Sequence, residues 1–159
     1  FGIFEKNGKE LAVISLQGRT FMPPLDCPFR TAEKLIEKSR TPCIFVDFHA
    51  EASSEKKALA YWLDGKISAI AGTHTHVQTS DEQVLPGGTA FISDVGMTGG
   101  HGGIIGMTAE SVIPKFLYGT PSKFEICDTD VRFQAIVVDI DDETGRGMDI
   151  CRIDAPCES

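Results

Sequence analysis

Three histidines stand directly after two short apolar runs of the chain, and they are the residues best suited to carry chemistry. His49 follows the run Cys43–Phe48, and His74 and His76 follow the run Ile67–Ala71. The carboxyl ends of parallel strands meet at one edge of a sheet, where open α/β folds bind their ligands. Neutral imidazole is a common ligand for Zn, Mn and Fe. The pattern therefore predicts a transition-metal site at this edge.

The spacing of His74 and His76 predicts that both imidazoles line one cavity. Side chains two positions apart on extended backbone point the same way. Three histidines could hold a single zinc ion with one open position, as in hydrolytic zinc sites. A two-metal centre would need a bridging carboxylate and further oxygen ligands. The residues leave both arrangements open. A third possibility is that each histidine has only a structural role and forms hydrogen bonds within a loop.

Several other polar residues lie near the predicted strand ends. The carboxylates among them are Asp47, Glu51, Asp81, Glu82 and Asp94. Asp47 would share the face of His49 on an ideal strand, although single carboxylates more often cap elements or face solvent. His101 lies in a loop, Gly96–Gly106, that holds six glycines in eleven residues. That loop lacks the Gly-Lys-Ser/Thr of a phosphate-binding P-loop, but its N–H groups could meet an anion, and His101 could reach a substrate or a proton-transfer position.

The rest of the sequence predicts the elements that position these residues. Asn7-Gly8 is a hairpin turn signal between two strands, Gly2–Glu5 and Glu10–Leu16. Helices are predicted over 28–40, over 53–63 with Ser53 or Ser54 as N-cap, and over about 108–118. A further strand is predicted over 89–92 and a second hairpin over 131–140 and 148–153. Strand–helix alternation flanked by antiparallel hairpins predicts a mixed α/β fold whose sheets carry helices on their outer faces.

Composition narrows the class of protein. The formal charge of −8 argues against general nucleic-acid binding, which needs a basic face. With 42% hydrophobic and 24% charged residues and no run of about 18 apolar residues, the chain is expected to be globular and not membrane-bound. The five cysteines form no CxxC pair, which argues against a disulfide framework and favours the cytoplasm. The chain opens at Phe1, so we expect either a removed leader or the later part of a longer protein.

Longer blocks of sequence resemble a known family. The blocks LAVISLQGRTFM (11–22), VDFHAE (46–51), GTHTHVQT (72–79) and DVGMTG (94–99) are similar to those of bacterial YmdB-type metallophosphoesterases, members of the calcineurin-like superfamily. The resemblance covers nearly the whole chain. It departs after DVGMTG, where GGHGGIIG replaces a continuation with fewer glycines, so it assigns no role to His101.

This resemblance implies a fold and an activity. The fold is a four-layered αββα sandwich, of which residues 1–159 would carry the C-terminal portion of a single domain. The activity is dinuclear, metal-dependent hydrolysis of 2′,3′-cyclic nucleotides, with a metal-bridging hydroxide as nucleophile. His49 and His74 match ligands of one ion and His76 a ligand of the other, the two ions being divalent or trivalent Fe, Mn or Zn. The remaining ligands and the proton-donor histidine belong to an N-terminal portion that this sequence lacks.

The chain by itself is therefore expected to be inactive, with a small nucleotide phosphodiester as substrate of the complete enzyme. An incomplete sandwich would expose a sheet edge and apolar faces, which favours a homo-oligomer. Two alternatives remain. One is a non-catalytic binding or regulatory domain with a structural metal site, and the other is a mononuclear zinc hydrolase complete within this chain.

Overall fold

The computed structural model describes residues 1–157, so residues 158 and 159 of the predicted domain 1–159 lie outside the described part. These residues form two β-sheets and three α-helices. The strands are β1 (Gly2–Lys6), β2 (Lys9–Gln17), β3 (Ile44–His49), β4 (Ala69–Thr73), β5 (Gln83–Val84), β6 (Ala90–Ile92), β7 (Gly99–Gly100), β8 (Val131–Ile140) and β9 (Gly147–Pro156). The helices are α1 (Pro28–Ile36), α2 (Ser53–Leu63) and α3 (Ala109–Tyr118).

The larger sheet has six strands in the order β1-β2-β3-β4-β6-β5. Strands β2, β3, β4 and β6 run parallel, and the edge strands β1 and β5 pair antiparallel. The mixed α/β class predicted from the sequence is confirmed. The register sets His49 opposite Thr73, so that β3 and β4 end side by side. The chain therefore delivers both histidine-bearing segments to one edge of the sheet.

One face of the larger sheet is covered by α1 and α2. Ala32 of α1 and Leu59 and Leu63 of α2 are fully buried against alternate strand residues such as Val46 and Phe48. The apolar stripe of each helix meets Val46 and Phe48 in this core, because alternate side chains of a strand point to the same face of the sheet. This packing fixes the strand ends that carry the histidines.

The other face of the larger sheet packs against the second sheet, β7-β8-β9. Ala71 and Ile92 meet Ile136, Val138 and Ile150 in a separate core. The opposite face of β8 carries Val131, Phe133 and Val137, which are 38%, 46% and 46% exposed. The expectation of helices on the outer faces is thus met for the larger sheet. It is not met for the smaller sheet within residues 1–157.

Several element boundaries differ from the sequence prediction. Helix α1 ends at Ile36 and not at Arg40, because the amides of Lys38 and Ser39 bond carbonyls three residues back and tighten the last turn. The N-cap of α2 is Ala52, which makes no side-chain cap, so the choice of Ser53 or Ser54 was wrong. The predicted glycine loop contains β7, whose two residues pair with β8.

The cysteines are all free thiols, as predicted. Cys43 is buried as a small apolar side chain, whereas Cys151 is exposed. Among the helices of residues 1–157, none has the length and apolar character required to cross a bilayer.

Hydrogen bonds to the Asp81 carboxylate hold the segment between β4 and β6 in place. They make the free energy of unfolding depend on pH. Burial opposes ionisation of Asp81, but the hydroxyls of Ser93 and Thr79, at 2.5 and 2.7 Å, and the Ser93 amide at 3.1 Å donate to the carboxylate. Together they hold the pKa of Asp81 below its usual range.

Because the folded-state pKa is the lower one, the contribution of Asp81 is present above the unfolded-state pKa and is lost as pH falls through the folded-state pKa. We expect Asp81→Asn to lower the unfolding free energy at pH 7 by about 1–2 kcal/mol and to flatten its decline between about pH 5 and pH 3. Urea unfolding across this range measures both effects. Ser93→Ala should flatten the decline in part; a wild-type decline in Asp81→Asn would contradict the assignment.

Candidate functional site

The side chains of His49 and His74 meet at the carboxyl edge of the larger sheet. Nε2 of His49 lies 3.0 Å from Nδ1 of His74, and the two rings are nearly perpendicular, with centroids 4.7 Å apart. His49 is the last residue of β3, and His74 directly follows the last residue of β4. The parallel pairing of these strands therefore accounts for the contact, and the structure brings together two of the three predicted ligands.

The outward nitrogen of each imidazole is held by an acceptor. The Thr73 hydroxyl donates to Oδ1 of Asp47 at 3.0 Å, and because it has one proton, its oxygen accepts from Nδ1 of His49 at 3.2 Å. The Ser15 hydroxyl donates to the other oxygen of Asp47. Oε2 of Glu51 lies 3.0 Å from Nε2 of His74. These partners assign the protons of both outward nitrogens, which leaves the facing nitrogens with lone pairs.

Two lone pairs that face each other at 3.0 Å repel unless a proton or a metal ion lies between them. A transition-metal ion fits, because two nitrogens each about 2.1 Å from one ion and at right angles to each other lie about 3 Å apart. Carboxylate or hydroxyl partners on the outward nitrogens are also typical of metal-ligating histidines. The donor chemistry of this pair therefore suits a metal ion. Within residues 1–157, however, no three His, Cys, Asp or Glu side chains converge closely enough to hold one.

His76 is placed differently from His74. Both residues have left-handed backbone, with φ of 110° for His74 and 65° for His76, so the extended geometry assumed for this pair was wrong. The exposed ring of His76 uses Nδ1 to bond the Ile105 carbonyl of the glycine-rich loop, at 3.0 Å. Left-handed backbone in non-glycine residues costs on the order of 1–3 kcal/mol and concentrates at functional sites. The turn thus joins the imidazole of His76 to the glycine-rich loop.

Most of the other polar residues singled out from the sequence form hydrogen bonds that do not involve His49 or His74. His101 is half-buried and its Nε2 bonds the Met97 carbonyl of its own loop at 3.1 Å. Asp81 is tied to Ser93, and Glu82 to Arg152 at 2.8 Å. Asp94 is buried beneath the histidine turn. Asp47 and Glu51 do lie at the site, where both support the outward nitrogens of the histidines, Asp47 through the Thr73 hydroxyl and Glu51 directly.

Two further residues at the site were not predicted from the sequence. Ser15 and Thr73 complete the chain of hydrogen bonds behind His49, and they come from two strands far apart in sequence. An open groove of about 700 Å³ begins at Ser15 and runs between the end of β2 and the start of α1. The spacing of Asp47 and His49 on one strand face was the only signal that could have pointed to this arrangement.

An α/β sheet with paired, carboxylate-supported imidazoles at the carboxyl ends of its strands identifies an α/β protein with a candidate ligand site at this edge. Comparison with known proteins gives the family. Residues 1–153 match the YmdB-like protein family, and the chain belongs to it. The resemblance noted from the sequence is thereby confirmed.

Two curated relatives carry descriptive names. The 2′,3′-cyclic-nucleotide 2′-phosphodiesterase of Bacillus subtilis is 55% identical over 92% of this chain, and a protein of Mycoplasma pneumoniae described as a putative phosphatase/phosphodiesterase is 36% identical over 89%. The matched regions amount to 56% and 52% of those proteins. The chain thus spans only a little more than half the length of the curated relatives.

Two crystal structures share the architecture. A hypothetical protein from Thermus thermophilus superposes with a TM-score of 0.93 at 42% identity, covering 98% of this chain and 61% of that one. A novel phosphatase from Mycoplasma pneumoniae superposes with a TM-score of 0.88 at 34% identity, covering 97% and 56%. These relatives are consistent with a metallophosphoesterase fold.

Proposed function

We propose that this chain is part of a metal-dependent phosphodiesterase that hydrolyses 2′,3′-cyclic nucleotides. The observation that carries the proposal is the pair of imidazole nitrogens, His49 Nε2 and His74 Nδ1, that face each other at 3.0 Å with both outward nitrogens already bonded. The name of the Bacillus subtilis relative supplies the substrate class.

In this proposal His49 and His74 hold one transition-metal ion, and His76 holds a second. Fe, Mn and Zn all suit a site of imidazole and oxygen ligands. The bound ions would polarise the phosphoryl group and provide the water-derived nucleophile. They would also offset the net charge of −8 where the anionic substrate binds.

The chain's own residues prepare the ligands. Asp47, acting through the Thr73 hydroxyl, keeps the proton of His49 on Nδ1, and Glu51 keeps the proton of His74 on Nε2. Each partner also fixes the orientation of its ring. The Ile105 carbonyl does the same for His76, because a carbonyl bonded at Nδ1 leaves Nε2 as the free ligand atom.

Further ligands, including the bridging carboxylate, would come from a segment that corresponds to the unmatched part of the relatives. Two observations support this view. No three metal-binding side chains converge within residues 1–157, and the chain matches 56% of the Bacillus subtilis relative. The added segment would also supply the outer helical layer of an αββα sandwich over the exposed face of β8. In the same proposal the complete enzyme is cytoplasmic.

The test compares this chain alone with the chain joined to, or mixed with, the part of the Bacillus subtilis relative that it does not match. We expect negligible hydrolysis of 2′,3′-cyclic AMP by the chain alone and Mn²⁺-dependent turnover by the combination, with about two ions per assembled protein. The isomer 3′,5′-cyclic AMP serves as the substrate control.

Each contrary result points to a different function. A combination that holds one tightly bound ion and hydrolyses nothing would identify a binding or regulatory domain with a structural metal site. Zinc-dependent hydrolysis by the chain alone would identify a mononuclear hydrolase. Equal turnover of both cyclic isomers would overturn the substrate assignment.

A further inference from the structure

A buried ion pair lies directly beneath the histidine turn. Nζ of Lys56, on α2, donates to Oδ2 of Asp94 at 2.8 Å, and the two side chains are 2% and 1% exposed. Lys56 reaches Asp94 by passing Gly72, where an added Cβ would stand 2.9 Å from the Lys56 Cδ. The lysine therefore crosses beneath the end of β4 through space that only a glycine leaves open.

Asp94 holds the backbone of the turn itself. Its Oδ2 also accepts the amide of Thr75 at 3.0 Å, and its Oδ1 accepts the amide of Gly96 at 3.0 Å. Thr75 is the residue between His74 and His76, whose backbones are both left-handed. Strained conformations of this kind persist only where surrounding contacts over-determine them. The Asp94 carboxylate supplies such a contact at the centre of the strained segment.

A contribution to stability does not by itself explain why the chain buries the Lys56–Asp94 ion pair. Removing two charges from water carries a desolvation penalty, and replacement of a buried pair by well-packed apolar residues is often neutral or stabilising. Breaking the pair at one partner is damaging, because it leaves an uncompensated buried charge. What an apolar replacement would remove is the acceptor for Thr75, and with it the constraint on the two histidines.

We propose that Asp94, held in place by Lys56, is a positioning residue that sets the His74–Thr75–His76 turn in its ligand-presenting conformation. It acts through the Thr75 amide and does not contact the ligand nitrogens. This inference deepens the proposed function and rests on it for the identity of the ligand. The hydrogen bond between Asp94 and Thr75 can be tested independently of that function.

The experiment compares two double variants of this chain, each joined to the part of the Bacillus subtilis relative that the chain does not match. Lys56→Met with Asp94→Asn removes both charges but keeps a side-chain oxygen for the Thr75 amide. Lys56→Met with Asp94→Leu removes the charges and the acceptor together. Titration with Co²⁺, followed by its visible absorption, should show affinity lowered about 10-fold or more in the Leu variant and by less in the Asn variant. The partly exposed pair Arg152–Glu82, replaced by Met and Leu, is the control and should leave Co²⁺ affinity unchanged.

A second readout follows the Thr75 amide directly. Its hydrogen exchange should be slowed about 100-fold or more in the wild type and accelerated in the Leu variant. Equal Co²⁺ affinity in the two double variants would overturn the proposal, since the acceptor at position 94 would then make no difference. If the Leu variant does not fold, an unprotected Thr75 amide in the wild type overturns it equally. Failure of the wild type to bind Co²⁺ would instead overturn the proposed function.

Discussion

In the proposed enzyme, this chain joined to the part of the Bacillus subtilis relative that it does not match, replacement of His74 by glutamine is expected to lower kcat/KM for 2′,3′-cyclic AMP at least about 1,000-fold. Loss of a supporting partner of a metal ligand typically lowers metal affinity about 10–100-fold, and loss of a ligand itself should exceed that range. The metal content of the purified variant, measured beside its kinetics, should fall in step. Its thermal stability without metal should not fall, because the change removes the repulsion between two facing lone pairs.

His101→Gln is the matched control for this prediction. His101 is a half-buried histidine of similar chemistry, but it bonds the Met97 carbonyl of its own loop and makes no hydrogen bond to His49 or His74 within residues 1–157. We expect its activity and metal content to stay within about threefold of the wild type. Full activity and full metal content in His74→Gln would refute the role given to this pair.

Gly72→Ala should be the most destabilising single change near the site. A Cβ on Gly72 would stand 1.7 Å from the Ser93 carbonyl oxygen and 2.6 Å from its carbon, both of which are backbone atoms. The Ser93 segment is fixed by its bonds to Asp81, so relief requires the two strand ends to separate. We expect the unfolding free energy to fall by about 3–5 kcal/mol, as measured by urea unfolding.

Gly8→Ala provides the comparison for Gly72→Ala. Gly8 has φ of +76° in the first hairpin turn, and an added Cβ there would meet no atom within 4 Å. Only the left-handed backbone opposes the change, so the expected loss is about 1 kcal/mol. A Gly72→Ala variant no less stable than Gly8→Ala would show that the strand ends separate easily, and that the histidine turn is less firmly held than its contacts indicate.

The local patterns of the sequence predicted most of the elements. The Asn7-Gly8 hairpin formed as expected, α2 spans Ser53–Leu63 as predicted, and α3 spans Ala109–Tyr118, beginning one residue after the predicted start. These signals are local, since turn chemistry and helical periodicity are set by residues a few positions apart. The two-residue strands β5 and β7 carry no such signal. β7 exists because a partner distant in sequence, β8, lies beside it, whereas β5 pairs with the neighbouring strand β6 across the turn 85–89.

The positions of two of the three histidines were predicted for the same reason. Placing histidines after two apolar runs was enough to bring His49 and His74 to one sheet edge, because parallel strands end together. Their mutual distance and their partners could not be predicted. Thr73 and Glu51 became neighbours of the imidazoles only through strand register and side-chain packing.

The sequence by itself therefore determined the mixed α/β class, the family, and which residue types lie at the strand ends. Each of these depends on local residue spacing or on contiguous blocks of sequence. The tertiary structure alone decided the left-handed backbone of His74 and His76 and the hydrogen bond that joins His76 to the glycine-rich loop. A left-handed histidine is locally unfavourable, so its own sequence gives no sign of it. It is maintained by bonds such as that from the Thr75 amide to Asp94, a residue nineteen positions away and buried beneath the turn.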